Sequence, residues 1–77
     1  MSRTRYIVRR TDQGKWQVVL NGKGHGSYDT QDEAIYNAVE TAHKVGAISP
    51  DGARVLVQRP DGTLGNAWTY GHDRFPL

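Results

Sequence analysis

The run Thr30-Gln31-Asp32-Glu33 limits what this chain can become more than any other feature, because it sets the start of a single helix between strand-like segments. A Thr followed three residues later by Glu is a capping box. The Thr30 hydroxyl accepts the N–H of Glu33, and the Glu33 side chain can reach back to the N–H of Thr30. Ala34, Ile35, Ala38, Val39, Ala42 and Val45 then recur at helical spacing, and Gly46 reads as the stop, so a helix is predicted over 31–45. Asp32 and Glu33 lie at the positive end of its dipole and Lys44 near the negative end. The alanine-heavy stripe implies a helix lying close and flat against one face of a sheet.

Four strands are predicted around it, at about 5–10, 15–20, 53–58 and 64–70. Arg5-Tyr6-Ile7-Val8-Arg9-Arg10 is rich in β-branched and aromatic residues. Asp12-Gln13-Gly14 can close a hairpin with Gly14 left-handed, returning as Lys15-Trp16-Gln17-Val18-Val19-Leu20. Opposing Thr11 to Lys15 pairs Arg10 with Trp16, Val8 with Val18 and Tyr6 with Leu20, and that set is the more apolar face. Arg59-Pro60-Asp61-Gly62 is a type I turn signal between the last two strands. Opposing Arg59 to Thr63 pairs Leu56 with Asn66, Val55 with Ala67 and Arg54 with Trp68. Ser49-Pro50-Asp51-Gly52 reads as a turn. Residues 71–77 read as a tail, frayed unless Phe75 and Leu77 dock. Asn21 to Ser27 reads as a glycine-rich loop, lacking the Gly-Lys-Ser/Thr-to-helix context of a phosphate-binding loop, with Tyr28 dropping onto the core edge. The expected fold is α+β: two β-hairpins forming one antiparallel sheet with a single α-helix on one face (ββαββ), in one domain spanning 1–77.

One helix covers one side of such a sheet, and the other side meets solvent or a partner. In the first hairpin the uncovered set is Arg5, Ile7, Arg9, Lys15, Gln17 and Val19. In the second, the small residues Val55, Val57, Gly65 and Ala67 suit the helix, leaving Arg54, Leu56, Gln58, Leu64, Asn66, Trp68 and Tyr70 outside. Arginines, amides and aromatics in one surface suit nucleic acid: guanidiniums contact phosphates and rings stack on unpaired bases. The expected binding residues are Arg5, Arg9, Lys15, Arg54, Trp68 and Tyr70. Other readings stay open. The same patch suits a protein partner or a weak homodimer in place of a monomer. Trp68 and Tyr70 equally suit the core of so small a domain, and a one-residue slip would exchange the two faces.

Charge is distributed unevenly although the net is only +2. Residues 1–28 carry Arg3, Arg5, Arg9, Arg10, Lys15 and Lys23 against Asp12, a net of +5. Residues 29–52 carry Asp29, Asp32, Glu33, Glu40 and Asp51 against Lys44, a net of −4. Basic strands beside an acidic helix segment can orient a domain toward a polyanion, or can simply be a solvated surface whose charges balance within the molecule. The 77 residues suffice for one thin core, in which a deep enclosed active site is hard to build. There are no cysteines, which removes disulfides, thiolate metal sites and thiol nucleophiles and suits a cytoplasmic location. No stretch approaches the roughly 20 apolar residues of a membrane span, and Met-Ser-Arg-Thr-Arg leads into no signal-length apolar run. His25, His43 and His72 stand at no metal-ligand spacing, and Ser27, Thr30 and Ser49 lack a nucleophile signature. No catalytic residue, metal or cofactor is expected.

The ordered set Gly14-Lys15-Trp16-Gln17-Val18, Thr30 with Glu33-Ala34, the Ala38 and Ala42 stripe, Asp61-Gly62 and Trp68-Thr69-Tyr70-Gly71 resembles a bacterial family, domain of unknown function 2188, over nearly the whole chain. The resemblance implies a small bacterial protein of the same strand-helix-strand layout. It brings no activity, cofactor or catalytic residue.

Overall fold

Five strands and one helix alternate as β1 (Thr4–Arg10), β2 (Trp16–Leu20), β3 (Lys23–Tyr28), α1 (Gln31–Ile48), β4 (Ala53–Gln58) and β5 (Leu64–Thr69). The computed structural model describes residues 4–48 and 52–74, so the turn at Ser49-Pro50-Asp51 and any docking of Phe75 and Leu77 lie outside the described residues. The strands form one mixed sheet in the order β3-β2-β1-β4-β5, with α1 on one face.

The α+β class and the single covering helix agree with expectation, but the wholly antiparallel two-hairpin sheet does not. The difference begins at Asn21-Gly22. Their φ values of 53° and 80° are those of a two-residue type I′ turn, which pairs Leu20 with Lys23 and turns the expected loop into β3. That extra strand reverses the parity of everything after it. β3 runs parallel to β1, and the helix carries the chain back to the starting end of the sheet. β4 therefore enters parallel to β1, with Tyr6 opposite Val55 and Val8 opposite Val57. A helix leaving β2 directly would have returned β4 in the opposite sense. Both outer hairpin turns, β1–β2 and β4–β5, consequently lie at one end of the sheet.

The first hairpin has the expected register, Arg10 to Trp16 through Tyr6 to Leu20, closed by the Thr11 N–H donating to the Lys15 carbonyl at 2.7 Å. The Arg59 N–H likewise donates to the Thr63 carbonyl at 2.8 Å. The last hairpin departs from expectation beyond Asn66. Leu56 still opposes Asn66, but Val55 opposes Trp68, leaving Ala67 as an extra, bulged residue. An extra residue in one strand moves every later side chain to the other face. Trp68 therefore turns under the helix instead of facing outward with Arg54.

The core follows from this placement. Val8, Val55, Val39 and Trp68 are its largest fully buried side chains, and Ala34, Ala38, Ala42 and Ala53 let the helix and sheet close around them. The capping box forms in part: the Glu33 N–H donates to Thr30 Oγ1 at 3.2 Å, while the Glu33 carboxylate meets the Thr30 hydroxyl rather than its N–H. Gly46 does not end the helix, which runs on to Ile48. It is there for close approach, since a Cβ at Gly46 would run into Tyr70 Cγ and lie 2.9 Å from Tyr70 Cβ.

Gly46→Ala tests that contact with a sign that propensity alone gets wrong. Alanine should favour an exposed helix position by about 1 kcal/mol. Here the obstacle is the root of a ring, which cannot swing aside as a flexible tip would, and overpacking costs about 1–3 kcal/mol. Net destabilisation is expected in urea unfolding, and the loss should shrink when Tyr70 is also replaced by Ala.

Candidate nucleic-acid interface

The sheet face away from α1 is built by alternate residues of four strands. Arg5, Ile7 and Arg9 come from β1, Gln17 and Val19 from β2, Arg54, Leu56 and Gln58 from β4, and Leu64 and Asn66 from β5. Arg5 stands directly opposite Arg54 across the parallel pair, and Arg9 opposite Gln17. No carboxylate occupies a strand position on this face. Arg5 and Arg9 are exposed. Arg54 is half-buried; among the described residues it donates one long 3.4 Å bond, to Asn66 Oδ1, and its buried Nε has no hydrogen-bond partner. Leu56 is only 7% exposed although it faces away from the helix, because Ile7 and Asn66 flank it across the sheet and Arg54 and Gln58 along the strand.

Of the six residues expected to bind nucleic acid, Arg5, Arg9 and Arg54 meet on this face, and three do not. Lys15 is drawn to the sheet edge by an ion pair with Asp29, at the entrance to the helix. Trp68 is 1% exposed on the helix side and donates its indole N–H to the Arg74 carbonyl at 2.9 Å. Tyr70 lies on the same side, its ring centroid 6.2 Å from that of Trp68 and 5.8 Å from that of His43. The bulge at Ala67 thus removes both aromatics from the open face. The short tail holds Trp68 in place: Asp73 accepts the Thr69 N–H at 2.8 Å, and the Asp73 N–H donates to the Thr69 carbonyl at 2.9 Å.

The parallel β1–β4 pair gathers other residues that the strand pattern alone left apart. At the turn end of the sheet, Arg10, Trp16, Gln58 and Arg59 line a cleft of about 500 Å³. A second cleft of about 390 Å³, lined by Arg9, Arg10, Gln17 and Gln58 among others, adjoins it. The signal that could have found this group is Asn21-Gly22, since recognising the I′ turn yields β3, and β3 brings the two outer turns to one end. A third cleft, about 340 Å³, lies where α1 falls short of β3, between Tyr6, Tyr28 and Thr41. Burial there holds the Tyr6 phenol above its ordinary value.

Among the described residues, no group of three His, Asp or Glu side chains could hold a metal ion, and no helix is long and apolar enough to cross a membrane. Fold and surface together define a small α+β domain with one helix-covered and one bare, cationic sheet face. Residues 5–70 match the family described as an uncharacterised protein conserved in bacteria (DUF2188), and the chain belongs to that family. No curated protein and no solved structure matches the chain.

Two outcomes follow. Trp68→Ala is expected to cost about 3–5 kcal/mol, the usual loss for a buried aromatic, and to leave the domain largely unfolded in a chemical denaturation series. The Lys15 ammonium hydrogen bond holds the Asp29 carboxyl below its ordinary range. A depressed folded-state pKa means stability present above the unfolded value, about 3.9, and lost as pH falls through the folded one. Asp29→Asn should therefore melt below the wild type at neutral pH, with the gap closing as pH drops below about 4.

Proposed function

We propose that the chain is a non-catalytic bacterial cytoplasmic protein whose open sheet face binds the phosphate backbone of nucleic acid. The observation that carries this is the trio Arg5, Arg9 and Arg54 on one face with no carboxylate among them. Facing like charges across β1 and β4 cost stability unless an anion lies between them. Among the described residues Arg54 donates one long bond, and the terminal nitrogens of its guanidinium are matched to a phosphate. Arg5 and Arg9 stand four strand residues apart, about 13 Å, which favours a chain of anions over a single one. With Trp68 and Tyr70 beneath the helix, affinity from this face is electrostatic, supplied by phosphate contacts rather than by stacking.

Anisotropy titrations of labelled oligonucleotide against salt test the proposal. Arg5→Gln with Arg54→Gln is expected to weaken binding and to reduce the slope of log K on log salt by about 1.4–1.8, the value for two phosphate contacts. An unchanged slope in a folded double variant would rule this face out. A second reading, a protein partner or homodimer, is favoured by Ile7, Val19 and Leu64 on the same face, with Leu64 43% exposed. Sedimentation over a concentration series separates the two: a dimer broken by Leu64→Asp, with no oligonucleotide shift, would favour the partner.

A further inference from the structure

We infer that the cleft at the turn end of the sheet is a stacking site for one unpaired nucleobase, with Trp16 as the platform and Arg10 and Arg59 on its flanking phosphates. This rests on the preceding reading and names its substrate as single-stranded nucleic acid. Trp16 packs partly against the core, so its ring is held in place while the remainder lines the cleft. At about 500 Å³ the cleft lies within the roughly 300–1,000 Å³ range of small-ligand pockets. Its lining residues supply the three chemistries such a ligand needs: the Trp16 indole for stacking, the Arg10 and Arg59 guanidiniums for phosphate and the Gln58 amide for a base edge.

The arginines are available and partly preset. Neither Arg10 nor Arg59 forms an ion pair with a described residue. Arg59 is anchored through one guanidinium nitrogen, which donates to Thr63 Oγ1 at 3.1 Å and to the Leu64 carbonyl at 3.3 Å. The acid in the same turn, Asp61, forms no ion pair with Arg59: its carboxylate accepts the Thr63 hydroxyl at 2.7 Å and the Thr63 N–H at 3.0 Å, and these bonds, with a smaller contribution from the Arg59 charge, hold it below its ordinary range. Arg10 and Gln58 also line the adjoining cleft with Arg9, where Asp12 is the one acid against two arginines, so the site continues around the sheet end onto the open face. A strand whose backbone follows Arg54, Arg5 and Arg9 can deliver its next base to Trp16. A base inside a duplex has its faces covered by its neighbours, which selects unpaired nucleic acid.

The full chain is titrated with oligothymidylate, oligouridylate and a duplex of equal length, following tryptophan emission and anisotropy. Either single strand should quench emission and the duplex should not. Trp16→Leu keeps an apolar side chain against the core, should abolish the quench, and should weaken single-strand binding about 5- to 150-fold, the equivalent of one stacked base at about 1–3 kcal/mol. Arg10→Gln with Arg59→Gln changes two exposed residues and should weaken single-strand binding while sparing duplex binding. Equal affinity for single strand and duplex, with no quench dependent on Trp16, would overturn this site and leave the open-face reading standing. A Trp16-dependent quench that persists in Arg5→Gln with Arg54→Gln, at unchanged salt slope, would support the cleft while removing the open face.

Discussion

The burial of Trp68 beneath α1 is the interaction on which the remainder of the structure depends. An indole is a large object for a chain of this size, and the helix admits it because every buried residue of its inner face but Val39 is small: Ala34, Ala38, Ala42 and Gly46. Small residues bring the helix axis down; the ring then fills the space between helix, β4 and β5, with His43 edge-on at 6.4 Å between centroids. The Ala67 bulge, the Asp73 turn and the Trp68–Arg74 bond all serve that placement. Because the aromatics go inward, the outer face is left to arginines, amides and a few aliphatics.

Polarity is divided along the same line. The described residues contain no fully buried polar or charged residue, and half-buried Arg54, with its buried Nε, still belongs to the open sheet face. Acids gather at the helix, where Asp32 and Glu33 sit in its first turn and Asp29 holds Lys15 at its entrance. Arg5, Arg9 and Arg54 stay unneutralised by those acids, because the sheet itself stands between them. A sheet wall of this kind separates charge that the net value of +2 conceals.

Much of this was legible in the residues. The helix start, both hairpin registers next to their turns, the core side of β1 and β2, and the exposure of Arg5 and Arg9 follow from capping chemistry and period-two alternation. What was not legible has specific causes. β3 is polar and glycine-rich, with no buried residue, so hydrophobic patterning is silent there and only Asn21-Gly22 marks it. The parallel β1–β4 pair is a matter of counting strands, so one missed strand inverts it. The bulge at Ala67 breaks period-two alternation, so unbroken alternation points Trp68 and Tyr70 outward where the strand turns them in. Gly46 resembles a helix stop until its neighbour across the gap is known.

The parallel β1–β4 pair also has a consequence for how the chain acquires its shape. Thr4 and Ala53 are partners in the sheet but lie about fifty residues apart along the chain, whereas β1, β2 and β3 join through tight local turns. Distant pairings close late because the intervening loop entropy must be overcome first. A chain emerging from synthesis therefore carries a three-stranded ribbon whose inner edge stays bare until β4 arrives. That waiting edge is the interval in which a crowded cell could recruit the wrong strand.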